Sequence, residues 1–114
     1  MRRRKIFVVS KGFHDLKKAE KFGDIRYLVT EYVNRYSPSQ INRKFVEILE
    51  NESSEEDLIM LSGQVTMNGI ATGIFGALHG RVNYLHYRKE RNDYEIEEYV
   101  YDFPQRKEVA HEVS

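Results

Sequence analysis

The sequence predicts a single α/β domain built on a mixed sheet of about five strands, in the order β-β-α-β-α-β-β. Three observations lead to this fold. Apolar runs rich in β-branched and aromatic residues recur at strand length, two stretches carry helical periodicity, and 114 residues match the size of one domain. We expect an ordered core over about residues 5–103, between a basic N-terminal tail and a polar C-terminal tail.

Two strands are predicted near the N-terminus. Lys5–Ser10 is a short β-branched and aromatic run, which is typical of a buried strand. Residues 13–23 are polar and irregular, and we expect a helical turn within them at about residues 16–22. Residues 25–31 then form the second predicted strand.

The first predicted helix, residues 38–50, carries the strongest local signal. Ser37 suits the N-cap and Gln40 can reach back to its N–H, which together make a capping box. Pro38 suits the first helical position. Apolar residues follow at i, i+4, i+7 and i+8 and form one stripe: Ile41, Phe45, Ile48 and Leu49.

The second half of the chain contains a strand–helix–strand unit and one further strand. Residues 57–62 are a continuous apolar run, typical of a central strand covered on both faces. The helix Val65–His79 is expected to end at Gly80 as its C′ glycine. The strand Arg81–Arg88 should run parallel to the strand before the helix. Residues 94–102 form a charged strand, which we place at an edge, antiparallel to its predecessor.

Residues 58–80 contain no charged side chain, in a chain that is 32% charged. Polar residues and glycines interrupt this run, so it does not predict a membrane span. We expect a helix buried nearly all round, with Ile70, Ile74 and Leu78 on one face. A glycine inside a helix costs roughly 1 kcal/mol against alanine. We therefore expect the glycine face to pack closely on the sheet or on a partner subunit, as part of a homo-oligomer (a dimer or higher); its glycines are Gly69, Gly73 and Gly76.

Composition and charge exclude several classes of protein. There is no cysteine, so disulfides and thiolate metal sites are ruled out, and we expect a soluble, cytoplasmic protein. Residues 1–50 hold 12 Lys/Arg and 6 Asp/Glu, a balance of +6, and residues 51–114 hold the reverse. This pattern favours self-association of unlike faces, or one face that attracts anions. The basic residues 2–5 are expected to form a solvated tail.

A ligand site is predicted where the first and third strands end, because ligands gather outside the carboxyl ends of parallel strands. The helix that begins after the third strand adds N–H donors suited to an anion. Phe13 can stack on a base, Lys11 adds positive charge, and His14 can donate to a phosphate. The predicted ligand-binding residues are Ser10, Lys11, His14, Ser62, Gly63, Gln64 and Thr66.

The sequence offers little for catalysis. There is no cysteine nucleophile and no Gly-x-Ser-x-Gly elbow, so His14 is the single acid–base group that we consider. No histidine pair has a metal-binding spacing, and we predict neither a metal nor a cofactor. His79 lies in the last helical turn, His86 is expected as half-buried packing, and His111 lies in the tail.

Five of the eight tyrosines lie in the C-terminal hairpin, which is also acidic. Tyrosine is favoured in strands and at interfaces. An acidic hairpin would repel a phosphate backbone, so we favour sheet packing or a protein interface over nucleic acid. These tyrosines are Tyr84, Tyr87, Tyr94, Tyr99 and Tyr101.

The runs KIFVVSKGFHDLKKAEKFGDIRYLVTE and LSGQVTMNGIATGIFGALHGRVNYLHY resemble small bacteriophage-encoded proteins of unassigned activity. More distantly, Ser62-Gly63-Gln64 before an apolar helix, followed by Gly80-Arg81-Val82, is similar to the viral anti-CRISPR ring nucleases. Those are dimers that cleave cyclic oligoadenylates, with a Gly-His pair at this turn. Because glutamine cannot act as a general acid, this resemblance implies binding without cleavage.

Three functions are compatible with these patterns. The first is a phage-encoded protein that binds a nucleotide-like or other anionic ligand at the ends of strands one and three. The second is a protein–protein inhibitor or assembly factor that uses the glycine-rich helix and the tyrosine-rich hairpin. The third is a nucleotide-cleaving enzyme that uses His14.

Overall fold

The computed structural model describes residues 2–12, 16–30 and 37–102. Five strands form one sheet in the order β2-β1-β3-β4-β5. The first four strands in this order run parallel to one another, and β5 runs antiparallel to β4. The strands are β1 (Lys5–Ser10), β2 (Asp24–Val29), β3 (Leu58–Met60), β4 (Arg81–Arg88) and β5 (Asp93–Val100). The predicted α/β class, mixed sheet and C-terminal antiparallel pair are confirmed.

The two α-helices, α1 (Pro38–Glu52) and α2 (Val65–His79), pack on the same face of the sheet. Strand side chains alternate between faces, so Phe7 and Ile59 join the core under the helices. Their neighbours in the strands point the other way, into a second apolar cluster, which is covered by the 3₁₀ helix Lys17–Phe22. The second face of the sheet therefore has a much thinner cover than the first.

Helix α1 begins as the sequence predicts. The Ser37 hydroxyl accepts a hydrogen bond from the Gln40 N–H at 3.3 Å, and the Gln40 side chain accepts one from the Ser37 N–H at 2.8 Å. This reciprocal pair is the predicted capping box. Three residues of the predicted stripe are fully or nearly fully buried, Ile41, Phe45 and Leu49, and Ile48 is partly buried against them.

Helix α2 has the predicted bounds but not the predicted surroundings. Its buried residues are Met67, Ala71, Phe75 and Gly76, so the expectation of a helix buried nearly all round is wrong. The stripe of Ile70, Ile74 and Leu78 lies at the side of the helix: the two isoleucines are partly buried, and Leu78 is 41% exposed. The α2 helix ends at Gly80, which adopts the left-handed conformation of a C′ glycine.

The glycines of α2 do not share one packed face. A Cβ added at Gly69 or Gly73 would meet no other atom within 4 Å, whereas one added at Gly76 would overlap the Tyr101 hydroxyl. Close packing within the chain is therefore confirmed for Gly76 and wrong for Gly69 and Gly73. These two glycines lie on the face of α2 that points away from the sheet. A subunit contact there stays a prediction.

The N-terminal basic run is not merely a solvated tail. The Arg2 guanidinium forms two hydrogen bonds of 2.7 Å with the carboxylate of Asp57, which is completely buried just before β3. The same carboxylate accepts hydrogen bonds from the backbone N–H groups of Lys5 and Ser54. Residue 2 is thereby tied to the amino ends of β1 and β3. None of the described helices is long and apolar enough to cross a membrane.

Candidate functional site

The switch point of the sheet lies between β1 and β3. These strands are adjacent and parallel, with Ile6 opposite Leu58 and Val8 opposite Met60. From β1 the chain continues to β2 on one side, and from β3 it continues to β4 on the other. In sheets of this kind the diverging connections leave a crevice at the carboxyl ends of the two strands. The carboxyl ends of β1 and β3 therefore lie side by side, as a ligand site shared by the two strand ends requires.

Two serines join the strand ends. The Ser62 hydroxyl donates to the Ser10 carbonyl oxygen at 2.8 Å and accepts from the Ser10 N–H at 3.0 Å. The Ser62 N–H donates to the Asn68 side-chain oxygen at 3.0 Å. The Ser62 side chain thus continues the β1–β3 ladder beyond Met60, where β3 ends.

The turn after Ser62 brings the backbone very close to β1. Gly63 has a φ of 78°, and a Cβ there would lie 2.9 Å from the Ser10 Cβ. Helix α2 begins two residues later, and the Gln64 side chain makes no capping hydrogen bond at its start. Thr66 is exposed in the first turn. Gly63, Gln64 and Thr66 therefore lie at the predicted edge of the sheet, at the entrance to α2.

A cleft of about 590 Å³ opens at this edge. Its floor is formed by Val8, Met60 and Leu85, which belong to the apolar cluster on the side of the 3₁₀ helix. The cleft therefore lies on the opposite face of the sheet from α1 and α2. The other lining residues are Ser10, Gly12, Leu16, Lys18, Leu61, Ser62, His86, Tyr87, Asn92 and Tyr94. Among the described residues, no carboxylate lines it.

The cleft contains a lysine that the sequence did not indicate. The Lys18 ammonium donates a 3.0 Å hydrogen bond to the Asn92 carbonyl oxygen, across 74 positions of sequence. The predicted Lys11 does not line the cleft. Its ammonium instead lies 5.8 Å from the centroid of the Tyr27 ring, beside β2. Of the predicted ligand-binding residues, Ser10 and Ser62 therefore line the cleft, whereas Lys11, Gly63, Gln64 and Thr66 do not. His14 falls outside the described residues.

The turn between β4 and β5 forms one wall of the cleft. Asn92 has a φ of 48°, the left-handed conformation that asparagine tolerates better than most residues. Its side-chain oxygen accepts a hydrogen bond from the Tyr87 hydroxyl. Next to it, Lys21 pairs with Asp93 at 2.6 Å, and this hydrogen bond holds the pKa of Asp93 below its usual value. The 3₁₀ helix and this turn therefore touch through two lysines.

A second, shallower groove of about 480 Å³ lies on the helix side of the same edge. It is lined by Leu61, Val82, Tyr84, His86, Tyr99 and Tyr101. Tyr84 and Tyr99 pack edge to face with centroids 5.7 Å apart. The Tyr99 hydroxyl donates to Glu97 at 2.7 Å, and this carboxylate raises the pKa of Tyr99. The hairpin tyrosines are therefore used in packing on both faces of the sheet, where Tyr87 and Tyr94 form a similar pair.

The described histidines form no metal site. The His79 Nε2 lies 2.7 Å from the Ser53 hydroxyl, and its ring packs 4.5 Å from that of Phe75. His86 is partly exposed beside Glu97, with Nε2 and the nearest carboxylate oxygen 3.7 Å apart. Within residues 2–12, 16–30 and 37–102, no group of three His, Asp or Glu side chains could hold a metal ion. His111 lies outside the described residues.

Fold and cleft define an α/β protein with a ligand-sized cavity at the carboxyl edge of a largely parallel sheet. A family model described as Phage Pam3 gp32-like protein matches residues 4–101, and the chain belongs to this family of phage proteins. No curated protein and no solved structure shows significant similarity to the chain. The resemblance to phage proteins is confirmed, whereas the similarity to anti-CRISPR ring nucleases finds no support in these comparisons.

Proposed function

We propose that this phage protein binds a nucleotide-like or other anionic small molecule in the cleft at the carboxyl ends of β1 and β3, without transforming it, in the host cytoplasm. The observation that carries the proposal is the chemistry of the lining. The described lining residues include a lysine, hydroxyl groups and an apolar floor, and no carboxylate. Such a surface favours a negatively charged ligand with an apolar part.

Size and position support the same function. A volume of about 590 Å³ lies within the usual range of small-molecule sites. The cleft also lies at the switch point, where sheets with parallel strands generally bind ligands. The Ser10 and Ser62 hydrogen bonds hold together the two strand ends that border the cleft.

A thermal-shift screen tests the proposal with mononucleotides, cyclic nucleotides and inorganic phosphate. A ligand that binds the native state raises the melting temperature, and salt should reduce the effect of an anion. The variant Arg43→Gln is the control, because Arg43 is exposed on α1, away from the cleft lining. It should leave each shift unchanged. If no anion raises the melting temperature at low salt, the proposal fails.

The outer face of α2 favours a second candidate, a protein–protein contact made by an inhibitor or assembly factor. Gly69 and Gly73 face open space, and Val65 is 86% exposed. Helix-interior glycines without an intrachain reason fit a surface that receives a closely packed partner. Sedimentation over a wide range of protein concentration tests the simplest case, a second copy. A single monomeric species throughout would rule out that case.

A further inference from the structure

Lys18 and Lys21 of the 3₁₀ helix both contact the turn between β4 and β5, but they bind different acceptors there. Lys21 forms an ion pair with the Asp93 carboxylate at 2.6 Å. Lys18 instead donates to a neutral acceptor, the Asn92 carbonyl oxygen, at 3.0 Å. One carbonyl uses only one of the three N–H donors of an ammonium group. Lys18 therefore keeps donors for a further acceptor while its position is already held.

Lys18 makes no ion pair within 4 Å with a carboxylate of residues 2–12, 16–30 or 37–102. Its charge does help to lower the pKa of Asp93, but the larger cause is the hydrogen bond that Asp93 receives from Lys21. Lys18 is also the one lysine or arginine among the described residues that line the cleft. The described lining of the cleft thus carries one full positive charge, the Lys18 ammonium.

The rest of the cleft suits a flat apolar body. Val8 and Leu85 are almost completely buried in its floor, and Met60 is 7% exposed. Tyr94 lines the wall on the β5 side. A planar ring placed in the cleft would instead cover the lining side chains of Leu61 and Tyr87, which are 41% and 49% exposed, and so remove apolar surface from water on both partners. Aromatic rings also pack favourably edge to face or offset against tyrosine.

We infer that the ligand of the cleft is a flat ring system carrying one anionic group, a phosphomonoester or a carboxylate, and that Lys18 binds this group. The inference rests on the proposed function and narrows it. It assigns the charge contact to Lys18 instead of Lys11, whose ammonium lies beside Tyr27. It also disfavours polyphosphates, since a single lysine offsets little of their charge.

Calorimetric titration and amide chemical shifts of ¹⁵N-labelled protein test the inference with five probes. These are AMP, 1-naphthoate, adenosine, inorganic phosphate and ATP. AMP or 1-naphthoate should shift the amides of Ser10, Ser62 and Asn92, and leave those of Gly69 and Gly73 in place. Binding of AMP alone would identify the phosphomonoester as the anionic group, and binding of 1-naphthoate alone would identify the carboxylate.

A matched pair of variants separates the two lysines. Lys18→Gln should weaken binding of the anionic ring compound about tenfold, as expected for loss of one charged hydrogen bond. Lys11→Gln removes the same charge and should change affinity less than about twofold, because a screened charge outside the cleft contributes little. Lys18→Arg keeps the charge and should restore most of the affinity. Thermal unfolding of each variant checks that the fold is intact.

The outcomes distinguish this inference from the proposed function. If anions shift the cleft amides but Lys11→Gln weakens binding and Lys18→Gln does not, the inference is overturned and the proposed function stands. Adenosine, inorganic phosphate or ATP binding as tightly as AMP and 1-naphthoate would also overturn it. If none of the anions shifts these amides, both the inference and the proposed function fail.

Discussion

The two ends of the parallel strands differ in how their polar groups are used. At the amino end, the buried Asp57 carboxylate is surrounded by Arg2 and by the N–H groups of Lys5 and Ser54. At the carboxyl end, the strands are joined by hydrogen bonds of neutral serines, and a cleft opens beside them. At the amino end a buried charge is fully paired within the fold, whereas at the carboxyl end Lys18 lines the cleft and contacts only a carbonyl oxygen among the described residues.

Substitutions at the two ends of the sheet should therefore have different effects on the stability of the fold and on the cleft. Changes at the amino end should lower stability and leave the cleft unaltered. The effects at the carboxyl end should depend on whether the residue holds the backbone, as Gly63 does, or lines the cleft. Three variants at the ends of the sheet and one on the outer face of α2 test this comparison, from the largest expected effect to the smallest.

Asp57→Asn should lower the free energy of unfolding by about 3 kcal/mol, as breaking a buried ion pair does. Burial works to raise the pKa of Asp57, but the Arg2 guanidinium and the two backbone N–H groups outweigh it and hold the pKa below its usual value. The stabilisation is therefore present above the unfolded pKa and is lost as the pH falls through the folded one. Urea unfolding from neutral to acidic pH measures both effects.

The control for this variant is Glu56→Gln. Glu56 also pairs with Arg2, at 3.2 Å, but it is partly exposed, and such surface pairs contribute about 0–1 kcal/mol. The wild type should lose stability in acid more steeply than Asp57→Asn. Equal stability losses in Asp57→Asn and Glu56→Gln would contradict the view that the amino end is closed by Asp57.

Gly63→Ala should cost about 2 kcal/mol at the carboxyl end. A positive φ disfavours alanine by about 1–2 kcal/mol, and the new Cβ would lie 2.9 Å from that of Ser10. Gly80→Ala is the matched control, because Gly80 has a similar φ of 70° and open space around it. The difference between the two variants in urea unfolding isolates the contact with Ser10. Identical stability losses in the two variants would mean that the end of β1 moves to accept the new methyl group without a loss of stability.

Local signals in the sequence predicted most of the fold. The capping box at Ser37, the glycine stop at Gly80 and the apolar run of β1 all involve residues within one element, and all are confirmed. Strand ends were less accurate: residues 57–62 were predicted, but β3 covers Leu58–Met60. Beyond Met60 a side chain, Ser62, replaces the backbone ladder, and a sequence pattern does not distinguish the two.

For the candidate site, the position of the cleft could be predicted from the sequence, but the charged residue that lines it could not. Ser10 and Ser62 could be found because parallel strands bring their carboxyl ends together. Lys18 could not, because its partner Asn92 is 74 positions away and neither residue lies in a motif. The error at Gly69 and Gly73 has a similar cause. Composition shows that a helix carries glycines but not which way they face, and these two point away from the sheet.

Ser37→Ala should destabilise the protein by about 1 kcal/mol, because the hydroxyl satisfies the Gln40 N–H at the start of α1. Both α-helices begin at the carboxyl end of the sheet, but Gln64 gives α2 no side-chain cap. Gln64→Ala should therefore cost clearly less than Ser37→Ala in the same unfolding experiment. An equal or larger loss for Gln64→Ala would show that α2 depends on this residue in another way.

The smallest expected effect concerns the outer face of α2, which belongs to neither end of the sheet. Gly73→Ala should stabilise the monomer by about 0.5–1 kcal/mol, because alanine has the higher helix propensity and the new methyl meets open space. Gly76→Ala is the contrast, since its methyl would overlap the Tyr101 hydroxyl. Urea unfolding at low and high protein concentration measures both. If this face binds a second copy closely, the methyl at residue 73 should lower the stability towards urea at high protein concentration only. A stability gain that is the same at every concentration would instead show that Gly73 is not part of a subunit contact.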